Sequence, residues 1–228
     1  MNDKQCVAEE AVRHVQDGML IGLGTGSTAN AFIEALARRY AEEGLRIRVA
    51  ASSVVSTIKA QELGLPLVAM EHLTSLDLYV DGADEVSPDL ALLKGRGSDL
   101  VREKLLARAS DRFLVLVDES KLVGRIGERY PIPVEVMPFA WQVVLRELER
   151  HGAQGGLRPN ASKDGLAVTS HGSLVLDMRF PVEMPSAALN ALLDAMSGVV
   201  EHGIFHGLAG SVLVVSEGHV RTLSPAGP

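Results

Sequence analysis

The sequence predicts an α/β protein: a mainly parallel β-sheet with helices on both faces, plus a smaller α+β lobe. Three observations predict it. Short apolar runs alternate with helical patterns through the first 120 residues or so. Those runs are apolar throughout rather than alternating, as in strands covered on both faces. The rhythm then changes near Tyr130, where Pro131, Pro133 and Pro138 follow in close succession.

Val7, Ala8, Ala11, Val12 and Val15 repeat at helical spacing, so a helix is expected over 5–16, with Gly18 as its stop. MLIGL (19–23) reads as a buried strand, and a helix follows from about Thr28 to Glu43. IRVAAS (47–52) reads as a strand, and VVSTIKAQELG as a helix closed by Gly64. PLVAM (66–70), DLYVDG (77–82) and FLVLVD (113–118) read as strands, and SDLVREKLLARA (98–109) as a helix. Beyond the prolines, a helix carries Trp141, Val144, Leu145 and Leu148. LAVTS, SLVLDMRF and GVVEHGIF then read as short strands, with SAALNALLDAM as a helix among them. The tail, SVLVVS and HVRTL, is strand-like and is expected to rejoin the first domain. The expected division is therefore a Rossmann-like body over 1–130 and 207–228, and a lobe over 131–206 serving oligomerisation or as a lid.

With 228 residues, 46% apolar and 22% charged, the chain is an ordinary globular protein. A net charge of −7 argues against a nucleic-acid surface. Cys6 is the single cysteine, which excludes an internal disulfide and a multi-cysteine zinc site, and a buried place on a helix face is expected for it. The N-terminal residues do not read as a signal peptide, and no apolar run approaches the ~20 residues of a membrane span. The expected setting is cytoplasmic, with no membrane partner.

In a parallel sheet, ligands bind beyond the carboxyl ends of the strands. Gly24-Thr25-Gly26-Ser27-Thr28 follows the first strand. Its glycines let backbone approach an anion, and Ser27 and Thr28 add hydroxyl donors at a helix start. The spacing fits neither the dinucleotide fingerprint nor the P-loop. The plain alternative is a tight turn with Thr28 as the helix N-cap. YVDGADE (79–85) sets Asp81, Asp84 and Glu85 within five residues at another strand end. These acids either cap a turn, hold a divalent metal, or accept from substrate hydroxyls. Lys94 precedes the turn Gly95-Arg96-Gly97, which feeds a helix capped by Ser98 or Asp99. Glu103 lies about a turn inside that helix, with Asp99 as its i−4 neighbour. It is either a solvated helix position or a carboxylate held for chemistry. Lys121 closes a third strand end in VDESKLV, where it is either a plain surface lysine or a phosphate or substrate contact. His202 and His206 are four apart but sit in a strand-like stretch, about 13 Å apart, which argues against a shared metal.

GTGST, SS…ST, YVDGADE, KGRGSDLVREK, DESK and IPVEVMP, in this order and at these separations, closely resemble type A ribose-5-phosphate isomerase. SGVVEHGIFHGLA (197–209) resembles the family's C-terminal motif. The resemblance implies a metal-independent, cofactor-free interconversion of ribose 5-phosphate and ribulose 5-phosphate, with a small phosphorylated sugar as partner and a homodimer or tetramer as the assembly. It implies Glu103 as the base moving a proton between C1 and C2. Asp81 and Asp84 would serve the sugar hydroxyls and ring opening, and Lys94 the developing negative charge. Gly24, Thr25, Gly26, Ser27, Thr28 and Lys121 would hold substrate and phosphate, alongside Gly82, Ala83, Gly95, Arg96 and Gly97. The chain departs from the family at Arg96, which stands where the middle of three glycines is usual, and over 151–172. A phosphosugar sensor and a metal-dependent phosphosugar hydrolase are the alternatives. The first is expected to carry a DNA-binding domain, and no stretch of these residues reads as one; the second would be sensitive to EDTA.

Overall fold

The structure is a computed structural model that describes residues 2–97 and 99–225. In chain order its elements begin with α1 (Asp3–Val12), β1 (Leu20–Leu23), α2 (Ser27–Glu43), β2 (Arg48–Ala51) and α3 (Val54–Glu62). There follow β3 (Leu78–Gly82), β4 (Glu85–Val86), β5 (Leu92–Leu93), α4 (Leu100–Ala109), β6 (Phe113–Asp118) and β7 (Ile132–Val136). The remainder is α5 (Trp141–Arg150), β8 (Gln154–Leu157), β9 (Leu174–Arg179), α6 (Ser186–Asp194), β10 (Val199–His202), β11 (Ile204–Phe205), β12 (Ser211–Ser216) and β13 (His219–Leu223). Contacts divide the chain into two compact units. One comprises residues 1–83, 102–121 and 208–228, and the other 84–101 and 122–207.

The first unit holds a six-stranded sheet in the order β13-β12-β6-β3-β1-β2. Every neighbouring pair is parallel except the β12–β13 hairpin at one edge. Its core joins Val7, Ala11 and Val12 of α1 to Phe32, Ile33 and Leu36 of α2 and to Ile21, Leu23, Val80 and Leu116 of the sheet. Cys6 is half-buried against this core. The helix α1 starts earlier than its apolar spacing suggests because Asn2 and Gln5 form a reciprocal capping box. It ends at Val12, with Arg13 as C-cap. Gly26 (φ 107°), rather than Thr28, occupies the N-cap of α2, and no side chain caps that end. PLVAM does not form a strand. Val49 and Leu67 make a single parallel bridge, and Met70–His72 coil into a 3₁₀ turn. Pro66 offers no N–H to extend a ladder there.

The second unit contains an antiparallel sheet in the order β10-β7-β9-β8 and a three-stranded sheet in the order β11-β5-β4. Val144 and Leu148 of α5 and Leu189 and Leu193 of α6 pack with Val134, Val136, Leu176 and Met178. The proline-rich stretch that breaks the sequence pattern is β7, an inner strand. Pro133 needs no donor at the end of β10, because Gly203 N–H donates to its carbonyl while the Gly203 carbonyl accepts from Lys94 N–H. GVVEHGIF divides at Gly203 into β10 and β11, which pair with β7 and β5 respectively. LAVTS makes only isolated bridges, Pro159 with Leu166 and Val168 with Leu174. Among the described residues no helix is long and apolar enough to cross a membrane.

Candidate active site

In the first unit, parallel pairing brings the carboxyl ends of β1, β2, β3 and β6 to one edge of the sheet. The loops 24–28 and 52–56, the 81–82 strand end and the 118–121 turn therefore share that edge. Leu23 is in register with Val80, which sets Gly24 beside Asp81. Asp81 is fully buried. Its Oδ1 accepts from Thr25 N–H at 3.1 Å and Gly82 N–H at 2.7 Å, and its Oδ2 accepts from the Tyr79 hydroxyl at 2.6 Å. Those donors fix the orientation of the carboxylate.

Tyr79 is itself buried and stacks on Phe113 with ring centroids 4.8 Å apart. Burial, and then the negative charges of Asp81 and Glu103, push its phenol well above the usual tyrosine range. It therefore stays protonated and remains a donor. The same electrostatic coupling brings Glu103 into the neighbourhood of Tyr79. Glu103 is buried on α4 rather than solvated.

Thr25 turns its hydroxyl inward, within 2.8 Å of Ser52 and Ser53 Oγ and 3.1 Å of Ser56 Oγ. Ser56 donates in turn to the Gly24 carbonyl at 2.6 Å. The loop is thus held by a cluster of hydroxyls, while Ser27 and Thr28 stand in the first turn of α2, where backbone N–H groups have no helical acceptors. Thr28 lines a cavity of about 320 Å³ together with Asp3, Lys4, Asp118 and Ser120. Lys121 ends the 3₁₀ turn that follows β6.

In the second unit, Asp84 donates its N–H to Leu93 O, and Lys94 donates its N–H to Gly203 O at 2.9 Å. Lys94 is buried, with Nζ 5.7 Å from the centre of the Phe205 ring. A Cβ on Gly203 would lie 2.4 Å from Lys94 O, so the split between β10 and β11 is also what lets that strand approach Lys94. Gly95 takes the left-handed position of the turn (φ 93°). Among the described residues the non-glycine positions with positive φ are Leu90, Lys163 and Glu217, so Arg96 carries no such strain. Its guanidinium sits 4.2 Å from the centre of the Tyr130 ring and 3.9 Å from Asp84 Oδ1. The expected Ser98 cap of α4 lies outside the described residues. Asp99 accepts from Ser170 Oγ at 2.7 Å.

Glu85 is a structural carboxylate, fully buried. Its oxygens accept three backbone N–H groups, from Gly127, Arg129 and Tyr130, at 2.7–2.8 Å. His202 and His206 have different partners, Asp194 and Asp89. Asp194, Glu201 and His202 bring one ligand atom each within 4.8 Å of one another. Ile204 N–H, however, donates to His202 Nδ1 at 3.3 Å, which leaves the ring proton on Nε2, facing Asp194 Oδ1 at 3.0 Å. A metal would need a lone pair at Nε2.

Sequence reasoning passed over Tyr79, Lys4 and the serines as individual residues. Tyr79 opens the YVDGADE motif itself, two residues before Asp81, where strand alternation puts both side chains on one face. Lys4 carried no comparable signal, since only the packing of α1 on the sheet brings it beside Thr28.

The parallel body, its glycine loop and its buried strand-end carboxylate define an α/β protein of the class that binds ligands at the carboxyl edge of the sheet. Residues 48–219 match the sequence model of ribose 5-phosphate isomerase A (phosphoriboisomerase A). Ribose-5-phosphate isomerase A of Gloeobacter violaceus is 44% identical over 225 residues, covering 98% of this chain and 96% of the relative. That of Methanothermobacter thermautotrophicus is 45% identical over 220 residues, covering 96% of each. The solved ribose 5-phosphate isomerase A of Methanocaldococcus jannaschii superposes with a TM-score of 0.91 at 40% identity, covering 97% of both chains. A D-ribose-5-phosphate isomerase solved in complex with phospho-erythronic acid gives 0.93 at 36% identity, covering 98% of this chain and all of that one. The chain belongs to the ribose 5-phosphate isomerase A family.

Proposed function

We propose that this chain interconverts ribose 5-phosphate and ribulose 5-phosphate by proton transfer through an enediolate, without a metal or other cofactor. The observation that carries this reading is family membership over nearly the whole chain, with Asp81, Asp84, Lys94 and Glu103 all present. Isomerisation needs a base beside the carbonyl, a donor to the enediolate oxygen, groups that move hydroxyl protons, and an anchor for the phosphate. Glu103 is assigned as the base between C1 and C2. A carboxylate base with an electrophilic partner is an established solution for such a transfer. Asp81 and Asp84 serve ring opening and the hydroxyls. The rigid orientation of Asp81 supports its part, because a fixed acceptor loses little freedom when the substrate arrives. Lys94 stabilises charge on the enediolate.

The phosphate anchor in this reading is the start of α2, Gly24–Thr28, with Lys121. Lys4 joins it, because it shares a cavity with Thr28. Gly82, Ala83, Gly95, Arg96 and Gly97 complete the substrate contacts. The alternative of a sensor has no observation in its favour. The reading carries with it a cytoplasmic homodimer, and a single cysteine suits a reducing compartment. Light scattering on the purified protein tests the dimer. The activity is tested by mixing EDTA-treated protein with ribose 5-phosphate and following the ketose. Activity that disappears with EDTA and returns with a divalent metal would contradict the metal-independent mechanism.

A further inference from the structure

The geometry points to Arg158 as a positioning residue for Lys94, acting through the Gly95–Gly97 turn with Asp177 as its brace. The inference rests on the reading of Lys94 given above. Arg158 directly follows β8 and continues its pairing through an N–H bond to Val175 O. Its guanidinium does two things at once. Nε and Nη2 form a fork on the Asp177 carboxylate, at 2.8 and 2.6 Å. Nη1 faces three successive carbonyls, Gly95 O at 3.1 Å, Gly97 O at 3.3 Å and Arg96 O at 3.4 Å. Three carbonyl dipoles aimed at one point repel each other unless a cation stands there. The left-handed Gly95 turns the chain so that they converge.

The pair is well placed to be rigid. The Arg158 side chain is 16% exposed and that of Asp177 25%, so water competes only partly for the fork. Asp177 sits on β9 in register with both Pro133 of β7 and Gly156 of β8, so it cannot shift without the sheet. Lys94 immediately precedes Gly95, and its own N–H is already held by Gly203. The backbone that carries the lysine is thereby fixed on both sides, by Gly203 before the side chain and by Arg158 just after it. A lysine at 158 keeps the charge but loses the fork, and its single ammonium cannot serve Asp177 and the carbonyls with the same geometry. This contact gives Arg158 a part in positioning Lys94 without touching substrate.

The test compares Arg158→Ala, Arg158→Lys and Asp177→Asn with Lys94→Ala and the double variant Lys94→Ala/Arg158→Ala, measuring kcat, KM for ribose 5-phosphate and far-UV dichroism. Displacement of a reacting group by about an ångström lowers kcat by roughly 10- to 100-fold. That loss is expected for Arg158→Ala, with KM changed less than about threefold and the helical signal intact, and a smaller loss for Asp177→Asn. In the Lys94→Ala background, adding Arg158→Ala should cost less than about threefold, because coupled residues are not additive. Should Arg158→Ala fail to fold, Arg158→Lys decides alone, with at least fivefold loss of kcat expected by the same displacement argument, roughly half-scaled. Wild-type kcat in the folded Arg158 variants, a rise confined to KM, or an undiminished loss in the Lys94→Ala background would each overturn the inference while leaving the role of Lys94 standing. Wild-type activity of Lys94→Ala would instead remove the reading of Lys94 and this inference with it.

Discussion

The Asp81 carboxylate occupies the space in which a side chain on Gly24 would lie: a Cβ built on Gly24 falls 2.2 Å from Asp81 Cγ. Asp81 and the glycine loop are thus one piece of structure, and the glycine is needed for what it leaves out. Gly24→Ala must displace either the loop or the carboxylate, since real Cβ atoms do not approach so closely. We expect kcat to fall by roughly 100-fold and stability by about 1–3 kcal/mol. Steady-state assays and urea unfolding of the purified variant check this, and wild-type kcat would show that the loop and Asp81 move freely.

Tyr79→Phe tests the orientation of Asp81 separately. Phenylalanine keeps the stack on Phe113 and removes the hydroxyl that donates to Oδ2. Hydrogen bonds to charged groups contribute about 1.5–3 kcal/mol, so urea denaturation should show a loss in that range. A fall in kcat that exceeds the change in KM is expected alongside it. An unchanged kcat would make Tyr79 purely a packing residue.

Glu85→Gln separates the structural acid from the acids assigned to chemistry. The amide has one carbonyl oxygen where the carboxylate offers two to three backbone donors. Stability should fall by about 1–3 kcal/mol, and kcat should stay within about threefold of wild type in the folded protein. A hundredfold loss of kcat with normal stability would place Glu85 in the reaction instead.

Glu135 predicts a pH effect. It is buried on β7, accepts from Thr169 Oγ1 at 2.8 Å, and has Glu201 and His171 nearby. Burial raises its pKa above the ordinary 4.5, outweighing the hydrogen bonds from Thr169 and Ser173 and the pull of His171, while Glu201 adds to the rise. An acid whose pKa is raised on folding favours the native state fully at low pH. As pH rises past 4.5 the unfolded chain gives up this proton first, and the stabilisation is lost as pH passes through the raised native value. Thermal unfolding across that window should show wild type losing stability relative to Glu135→Gln. Parallel pH profiles for the two proteins would contradict the assignment.

The parts of the fold that were legible in the sequence are those set by local pattern. Apolar runs bounded by turn residues located β1, β2, β3 and β6, and helical patterns located α2 and α3, the latter with its closing Gly64. What escaped depends on distant partners. Pro133 reads as a breaker until its neighbour Gly203 is seen to require only a carbonyl, and GVVEHGIF reads as one strand until Lys94 is found filling the space beside Gly203. PLVAM has strand composition, but only Val49 meets it. The candidate site shows the same division. Asp81, Lys94 and Glu103 stand out as residue types at strand and helix ends. The support that Tyr79, the serines and Arg158 provide comes from chain segments far away or from strand alternation, and is visible only once those segments are folded.

Glu103 is assigned the proton transfer between C1 and C2. This role is tested most directly by the rate at which EDTA-treated Glu103→Gln forms ribulose 5-phosphate from ribose 5-phosphate, beside wild type of equal helical content. Loss of a general base lowers kcat by about 10²- to 10⁴-fold, and that is the predicted result. A variant that keeps its rate within about tenfold of wild type would fall short of the general-base contribution and contradict the account.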